Sequence, residues 1–587
     1  MKDCIRIGGA AGFWGDSITG PLQLARADID FMVFDYLAEL TMSLLAGARQ
    51  KDPKAGYATD FIDAMRAVLK PTRDKGIRII SNAGGVNPRA CAEALAALAA
   101  ELDVAVKIAV VEGDDVMPQL AALREAQVRE WQSGAPLPAK LLSANAYLGA
   151  LPIKAALDAG ADIVITGRCV DSAVTLGALW HAFDWPLDDY DRLAQASLAG
   201  HLIECGCQGA GGLFTDWQSV PDWPNAGYPI VECRRDGGFV ITKPAGSGGL
   251  VTAATVAEQL LYEIGDPARY VLPDVVCDFT EVRLNEAGAD RVEVLGAHGL
   301  PPPTEYKVSA TYLDGWRCQA QLTVIGVDAE RKAQRTAEAI LRRCRALLER
   351  HGWGDFSATH TELLGRAESF GPHVERGPCF ETVLWLAVRH ANRAALELFA
   401  REIAPAATSW APGTTGAFGR PSVAPAIKPF FFLIDKARLQ PVVRIGDDTI
   451  AVSVPAGAPS PAPATPPVQA EAPLPDQEMR DVRLIELAHA RSGDKGDSVN
   501  IGVIARRREY LPWLRAQLTE RSVADYLGHL VQGPVTRYEL PGIGAFNFVG
   551  ERALGGGGAA SLRHDPWGKG LAQVLLAMPV RVPRTLP

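Results

Sequence analysis

The chain has no uninterrupted apolar run long enough to span a bilayer. Its opening, MKDCIRIGGAAG, lacks the charged segment, apolar run and cleavage site of a secretory signal. A cytoplasmic protein that does not partner a membrane is expected. Cysteine is sparse, ten in 587 residues, too few for a disulfide scaffold. Only Cys205 and Cys207 lie close together, and a lone C-x-C with no second C-x-x-C or nearby His pair is poor support for zinc. Both are read as packing residues, and no metal is expected. Positive charge is not in excess either: 59 Lys and Arg stand against 68 Asp and Glu, a net charge of -9 with no basic cluster. Nucleic acid is therefore not an expected partner.

What remains is an ordinary globular composition, 48% hydrophobic and 22% charged. The length suits roughly three or four folding units. The clearest boundary is residues 455–477, PAGAPSPAPATPPVQAEAPLPDQ, read as a flexible Pro/Ala-rich tether. It separates a body from a C-terminal domain, residues 478–587, of about 110 residues.

In residues 1–250, β-prone runs (CIRIG, RIISNAG, VAVKIAVVEG, ADIVITG) alternate with helical stretches, which predicts an α/β body with a Rossmann-like parallel sheet. Residues 251–454 change pattern: strand-like VVCDFTEVRL and RCQAQLTVIG lead into the helical AERKAQRTAEAILRRCRALLERHG, an α+β second lobe. The C-terminal segments VRLIELAHARSGDKGDSVNIGVIA, LPWLRAQL, VADYL, VTRYEL and AFNFVG fit a ferredoxin-like α+β order.

Ligands of open α/β sheets bind beyond the carboxyl ends of the strands. Small and polar residues gather at those predicted tips: Gly9, Gly12 and Asp16 in GGAAGFWGDS, Asn82 and Gly84 in SNAGG, and Glu112 in VVEGDD. The glycine spacing is not G-x-G-x-x-G, so the turn is read as lining a ligand rather than as a dinucleotide fingerprint. Arg168 and Asp171, just after the strand ADIVITG, either grip a carboxylate and move a proton or form an internal ion pair. GHLIECGCQGAGG offers Glu204 as an acid or base, since a carboxyl beside Ile203 and small neighbours would hold its proton more tightly. Two further stretches read as anion sites or simple connections: Gly246, Ser247 and Gly248 before a helix capped by Thr252, and the polar loop Arg491, Ser492, Asp494, Lys495.

The segments GGAAGFWGDS, DYLAELTMSLL, SNAGGVNP, ITGRCVDSA, GHLIECGCQGAGG, PAGSGGLVT, KVSATYLDGWR and APGTTG together resemble the acyclic terpene utilisation (AtuA) family, and HARSGDKGDSVNIG resembles that family's appended ferredoxin-like domain. The resemblance implies a place in the catabolism of citronellol- and geraniol-type terpenes, whose acids are handled as coenzyme A thioesters. It carries over no catalytic residues. Two readings follow. One is an enzyme, a lyase of the hydration, dehydration or carbon–carbon cleavage type, acting on a branched acyl-CoA with Glu204, Asp171 and Arg168 at its centre. The other is a noncatalytic scaffold or delivery protein for the pathway's enzymes. No separate cofactor is expected, coenzyme A entering only as part of the small-molecule substrate. Homo-oligomerisation is common in such proteins and leaves no mark here.

Overall fold

The computed structural model describes residues 2–416, 419–459 and 478–586. Residues 460–477 of the expected tether lie outside the described residues.

Five strands form the parallel centre of an eleven-stranded sheet, in the spatial order Cys4–Ala11, Phe31–Phe34, Arg78–Ser81, Ile163–Thr166, Ile108–Glu112. Phe31–Phe34 and Ile163–Thr166 are buried at every residue, as expected of strands covered by helices on both faces. Antiparallel strands extend the sheet on either side. Ile230–Arg234, Phe239–Thr242, Val292–Leu295 and Arg283–Glu286 follow Cys4–Ala11, and Val442–Ile445 with Asp448–Ala451 follow Ile108–Glu112. Residues 283–295 and 442–451, placed by sequence in the second lobe, thus complete the sheet of the body. Short amphipathic hairpins have the same period whichever sheet they join, so sequence pattern alone does not assign them.

The second lobe is built on one long strand, Glu305–Ile325, which pairs with Glu381–His390 and Val423–Asp435. KVSATYLDGWR lies within it. Its continuity is hidden in sequence by Asp314 and Gly315, where the register shifts between Leu313 and Trp316 and Gly315 takes φ 83°. Helix Ala329–His351 covers this sheet with Ala333, Ala337, Ile340, Leu341, Cys344 and Leu348, spaced at threes and fours on one face. The body's strand Ser143–Ala146 also pairs with Glu305–Ile325, from Val308 opposite Ala146 to Thr311 opposite Ser143. This pairing fixes the second lobe to the body.

In the C-terminal domain the strands run Ala488–Lys495, Ser498–Ala505, Ala545–Gly550, Val535–Leu540, all antiparallel, with helices Leu511–Gln517 and Glu520–Leu527. Val499, Ile501, Val503, Phe546 and Phe548 face the domain's own core. The alternate residues face the body. Asn500 Nδ2 donates to the Leu261 carbonyl at 2.6 Å, and Asn547 Nδ2 to those of Ile264 (3.1 Å) and Gly265 (2.6 Å). These bonds satisfy carbonyls at and just beyond the end of helix Ala253–Leu261, a place where intrahelical donors run out. A Cβ on Gly502 would lie 2.4 Å from that of Leu261, so the docking is close.

No helix among the described residues is long and apolar enough to cross a membrane.

Candidate functional site

A polar chamber lies where the tips of the central strands meet the second lobe and the C-terminal domain. Arg168, just past Ile163–Thr166, is 3% exposed. Its backbone N–H donates to Asp114 at 2.9 Å; its Nη1 donates to the Leu37 carbonyl at 2.9 Å and to Asp171 at 2.7 Å. Its Nε has no hydrogen-bond partner among the described residues. The guanidinium lies 4.2 Å from the centre of the Tyr147 ring, and the Tyr147 hydroxyl donates to Glu39. Lys307, from the long strand of the second lobe, brings its ammonium to 3.9 Å from Glu39 and 4.3 Å from the Phe431 ring centre. Burial among these groups lowers the Lys307 ammonium to about 8. Asp35, just past Phe31–Phe34, accepts from Asn82 Nδ2 at 2.5 Å. Burial first, then the charge of Asp171, holds Asp35 well above the usual carboxylate range.

Glu204 follows helix Tyr190–Ile203 directly and is 11% exposed. His201 Nδ1 lies 3.0 Å from its Oε1, and His201 Nε2 lies 3.1 Å from the Leu260 carbonyl. A carbonyl only accepts, so Nε2 carries a hydrogen and the contested proton lies between Nδ1 and the carboxyl. Burial opposes charge on both partners while their pairing favours it. For Glu204, burial with the nearby Asp171 charge wins and pushes the carboxyl up to about 7. For His201, burial alone would lower the imidazole, but Glu204 outweighs it and the ring lies above its ordinary value. Both partners therefore hold a proton more tightly than they would in water.

The structure brings Glu204, Asp171, Arg168 and Asn82 together here, with Lys495 at the end of Ala488–Lys495 facing the same groups. It places the other residues singled out by sequence elsewhere. Gly9 and Gly12 pack against the chain after helix Tyr190–Ile203: a Cβ on Gly9 would lie 2.2 Å from the Ile203 carbonyl oxygen, and one on Gly12 2.5 Å from the Gly206 nitrogen. Gly84 and Gly248 are likewise pressed on backbone carbonyls. These glycines let elements close on each other. Asp16 accepts from Gly12 N at 2.9 Å and from the Tyr228 hydroxyl at 2.7 Å, which shapes the turn. Glu112 is bound by Arg89 and Arg444, each at 2.6 Å.

In the two stretches read as anion sites or simple connections, the polar groups are engaged by the chain itself. Thr252 does cap helix Ala253–Leu261, but the Ala253 N–H donates to Glu286 at 2.8 Å, so the chain's own carboxylate occupies the helix start. Gly246 to Gly248 form a tight connection, with Ser247 Oγ donating to the Pro244 carbonyl at 2.7 Å and Lys243 paired with Asp290 at 3.1 Å. Residues 491–495 are strand, not loop, because Arg491 and Ser492 alternate between two buried faces. Arg491 donates to Glu258 (3.3 Å), Gln208 (2.7 Å) and the Gly212 carbonyl (2.7 Å), and Ser492 Oγ donates to the Gly568 carbonyl at 2.7 Å. Asp494 is held by Lys569 at 3.2 Å, and burial with Glu263 raises its carboxyl to about 6.

Sequence reading missed Asp35, Glu39, Tyr147 and Lys307. Asp35 was within reach, since D-Y-L follows the strand FMVF just as G-R-C follows IVIT. The others come from distant segments and converge only through the fold.

Gly9→Ala should displace the helix end that carries Glu204 and cost about 1–3 kcal/mol of stability in a denaturant titration. A variant as stable as the parent would show that this contact relaxes freely.

Beside the chamber, an apolar cleft of about 470 Å³ opens between the glycine-rich turn and the C-terminal domain, walled by Phe214, Trp217, Trp223 and Tyr262 and edged by Lys569. Lys569 joins cleft to chamber by pairing with Glu263 at 2.8 Å.

No curated protein and no solved structure matches the chain. The model of the acyclic terpene utilisation family protein AtuA matches residues 5–445, and that of the AtuA ferredoxin-like domain matches residues 482–581. The strand-tip chamber thus lies within the long match, Lys495 is supplied by the short one, and the chain belongs to the AtuA family of acyclic terpene utilisation proteins.

Proposed function

We propose that the chamber is an active site that moves a proton on a branched acyl-CoA thioester, in a hydration, dehydration or carbon–carbon cleavage. The single observation that carries this is the Glu204–His201 pair, largely buried with Nδ1 3.0 Å from Oε1, set beside the Arg168–Asp171 pair at the strand tips. A carboxyl held near 7 both takes and gives protons at working pH, which an exposed one does not. Glu204 is assigned as acid or base, with Asp171 assisting. Arg168 is assigned to orient a substrate oxygen. The apolar cleft alongside suits a hydrocarbon chain.

Against the scaffold reading stands the docking of the C-terminal domain, whose outer strand face is spent on the body through Arg491, Asn500 and Asn547. The test is a panel of coenzyme A, branched acyl-CoA thioesters and the matching free acids, scored by unfolding midpoint and turnover. A midpoint rise with turnover of a branched thioester is expected. Absence of turnover across the panel removes the reading.

A further inference from the structure

Burial brings the ammonium groups of Lys307 and Lys436 down to about 8, but their surroundings differ. Lys436 is 3% exposed and its Nζ donates to the Pro273 carbonyl at 2.6 Å, so it is sealed and occupied. Lys307 keeps 32% of its side chain exposed, and its Nζ makes no hydrogen bond among the described residues. The one carboxylate within ion-pair distance of it there, Glu39, lies 3.9 Å away and already accepts from the Tyr147 hydroxyl. Three rings wall the amine, their centres 4.3 Å (Phe431), 4.7 Å (Tyr147) and 5.8 Å (Trp131) from Nζ. The Tyr147 ring also carries the Arg168 guanidinium at 4.2 Å, which ties the lysine to the Arg168–Asp171 pair. After burial, the charges facing Nζ divide: Glu39 and Asp171 favour the ammonium, Lys495 and Arg168 oppose it. A lysine set among apolar walls and beside a second cation has its lone pair available at working pH. At pH 7 roughly a tenth of such an amine is free, against on the order of a thousandth or less of an ordinary one.

We infer that Lys307 captures a ketone or aldehyde group of the ligand, its Nζ forming an iminium with the carbonyl carbon. The inference rests on the chamber being the ligand site, and it adds covalent capture to the proton transfer already assigned. The amine lone pair forms the carbon–nitrogen bond, the carbon–oxygen bond breaks, and the oxygen leaves as water. Overall one ammonium and one carbonyl give one iminium and one water; both protons of the water come from the nitrogen, the charge is unchanged, and no oxidant or reductant enters. The iminium then carries its positive charge where the ammonium did, beside Glu39 and the ring faces. It also accepts the electron pair of a bond breaking at the adjacent carbon, which passes to nitrogen and leaves an enamine. Of the reactions proposed for the chamber, Lys307 therefore serves carbon–carbon cleavage, and the ligand carries a keto or aldehyde group.

The test is reductive trapping on the full chain with 4-methylpentan-2-one and sodium cyanoborohydride, which turns the iminium into a stable secondary amine, followed by peptide mass mapping. At pH 7 Lys307 should be alkylated at least about ten-fold faster than the exposed Lys54 and Lys70. Lys436 should stay unmodified while the chain is folded, and in urea the preference for Lys307 should vanish. Lys307→Arg keeps a charge beside Glu39 but forms no iminium, so its intact mass should lack the fast-forming single adduct. Lys307 alkylated no faster than Lys54 and Lys70, Lys436 alkylated alongside it, or a preference that persists in urea would overturn the inference. Glu204→Gln leaves Lys307 and its rings in place and should be labelled as the parent is. Lost proton transfer with capture intact, and lost capture with turnover intact, are therefore distinct results.

Discussion

Arg491→Met should lower the unfolding free energy of the full chain by about 3–5 kcal/mol at pH 8, and adding Glu258→Met should restore part of it. Glu258 is 0% exposed, in the middle of helix Ala253–Leu261, where it accepts from the Thr215 N–H at 3.0 Å and from Arg491 at 3.3 Å. Removing the arginine strands a carboxylate in the domain interface and also releases Gln208 and the Gly212 carbonyl. Replacing both charges by apolar side chains of similar bulk removes the stranded charge, while the Thr215 N–H, Gln208 and the Gly212 carbonyl still lose their partners. Even with Arg491 present, burial keeps Glu258 above its ordinary value. The sign follows: a carboxyl whose folded value is raised contributes stability that is fully present below its unfolded value, near 4.5, and lost as pH rises through the folded one. Without Arg491 the folded value rises further, so the deficit should be larger at pH 8 than at pH 5. Urea unfolding of the single and double variants at both pH values decides it. A loss below about 1 kcal/mol at pH 8 would mean that water reaches Glu258.

The same pair shows what sequence can and cannot display. Arg491 stands out in HARSGDKGDS as a charge among turn-forming residues, and charge with glycine reads as a solvated or anion-binding loop. Its partner lies 233 residues earlier, within the apolar TAATVAEQLL, where Glu258 passes for a helix-surface residue. The strand-tip residues were easier, because Arg168 and Asp171 follow an unbroken apolar run and Glu204 closes a helix. Local pattern alone places them at the ends of elements. Lys307 had no such signal, since it sits inside a strand whose bulge disguises its length. The glycines carry a contact that sequence does not display: Gly9 and Gly12 make room for the backbone at Ile203, Cys205 and Gly206.

Glu204→Gln should lower kcat/KM on a thioester that the parent turns over by about 10²–10⁴-fold, the range for removing a positioned acid or base. The amide keeps the volume and still meets His201, so folding should survive while the movable proton is lost. Two pH measurements separate this from mere damage. The parent's kcat/KM should show an inflection near pH 7, the value to which burial pushes the Glu204 carboxyl, and the variant's should not. Stability should change in a complementary way. In the parent, both Glu204 and His201 lie above their ordinary values, so between about pH 4.5 and 7 the folded state holds more protons than the unfolded one and stability falls as pH rises. With Gln at 204 the carboxyl's share vanishes, and His201 loses the charge that held its value up against burial. The fall should flatten. Lost activity with an unchanged stability slope would mean that Glu204 does not carry the proton, and the acid–base assignment would pass to Asp171.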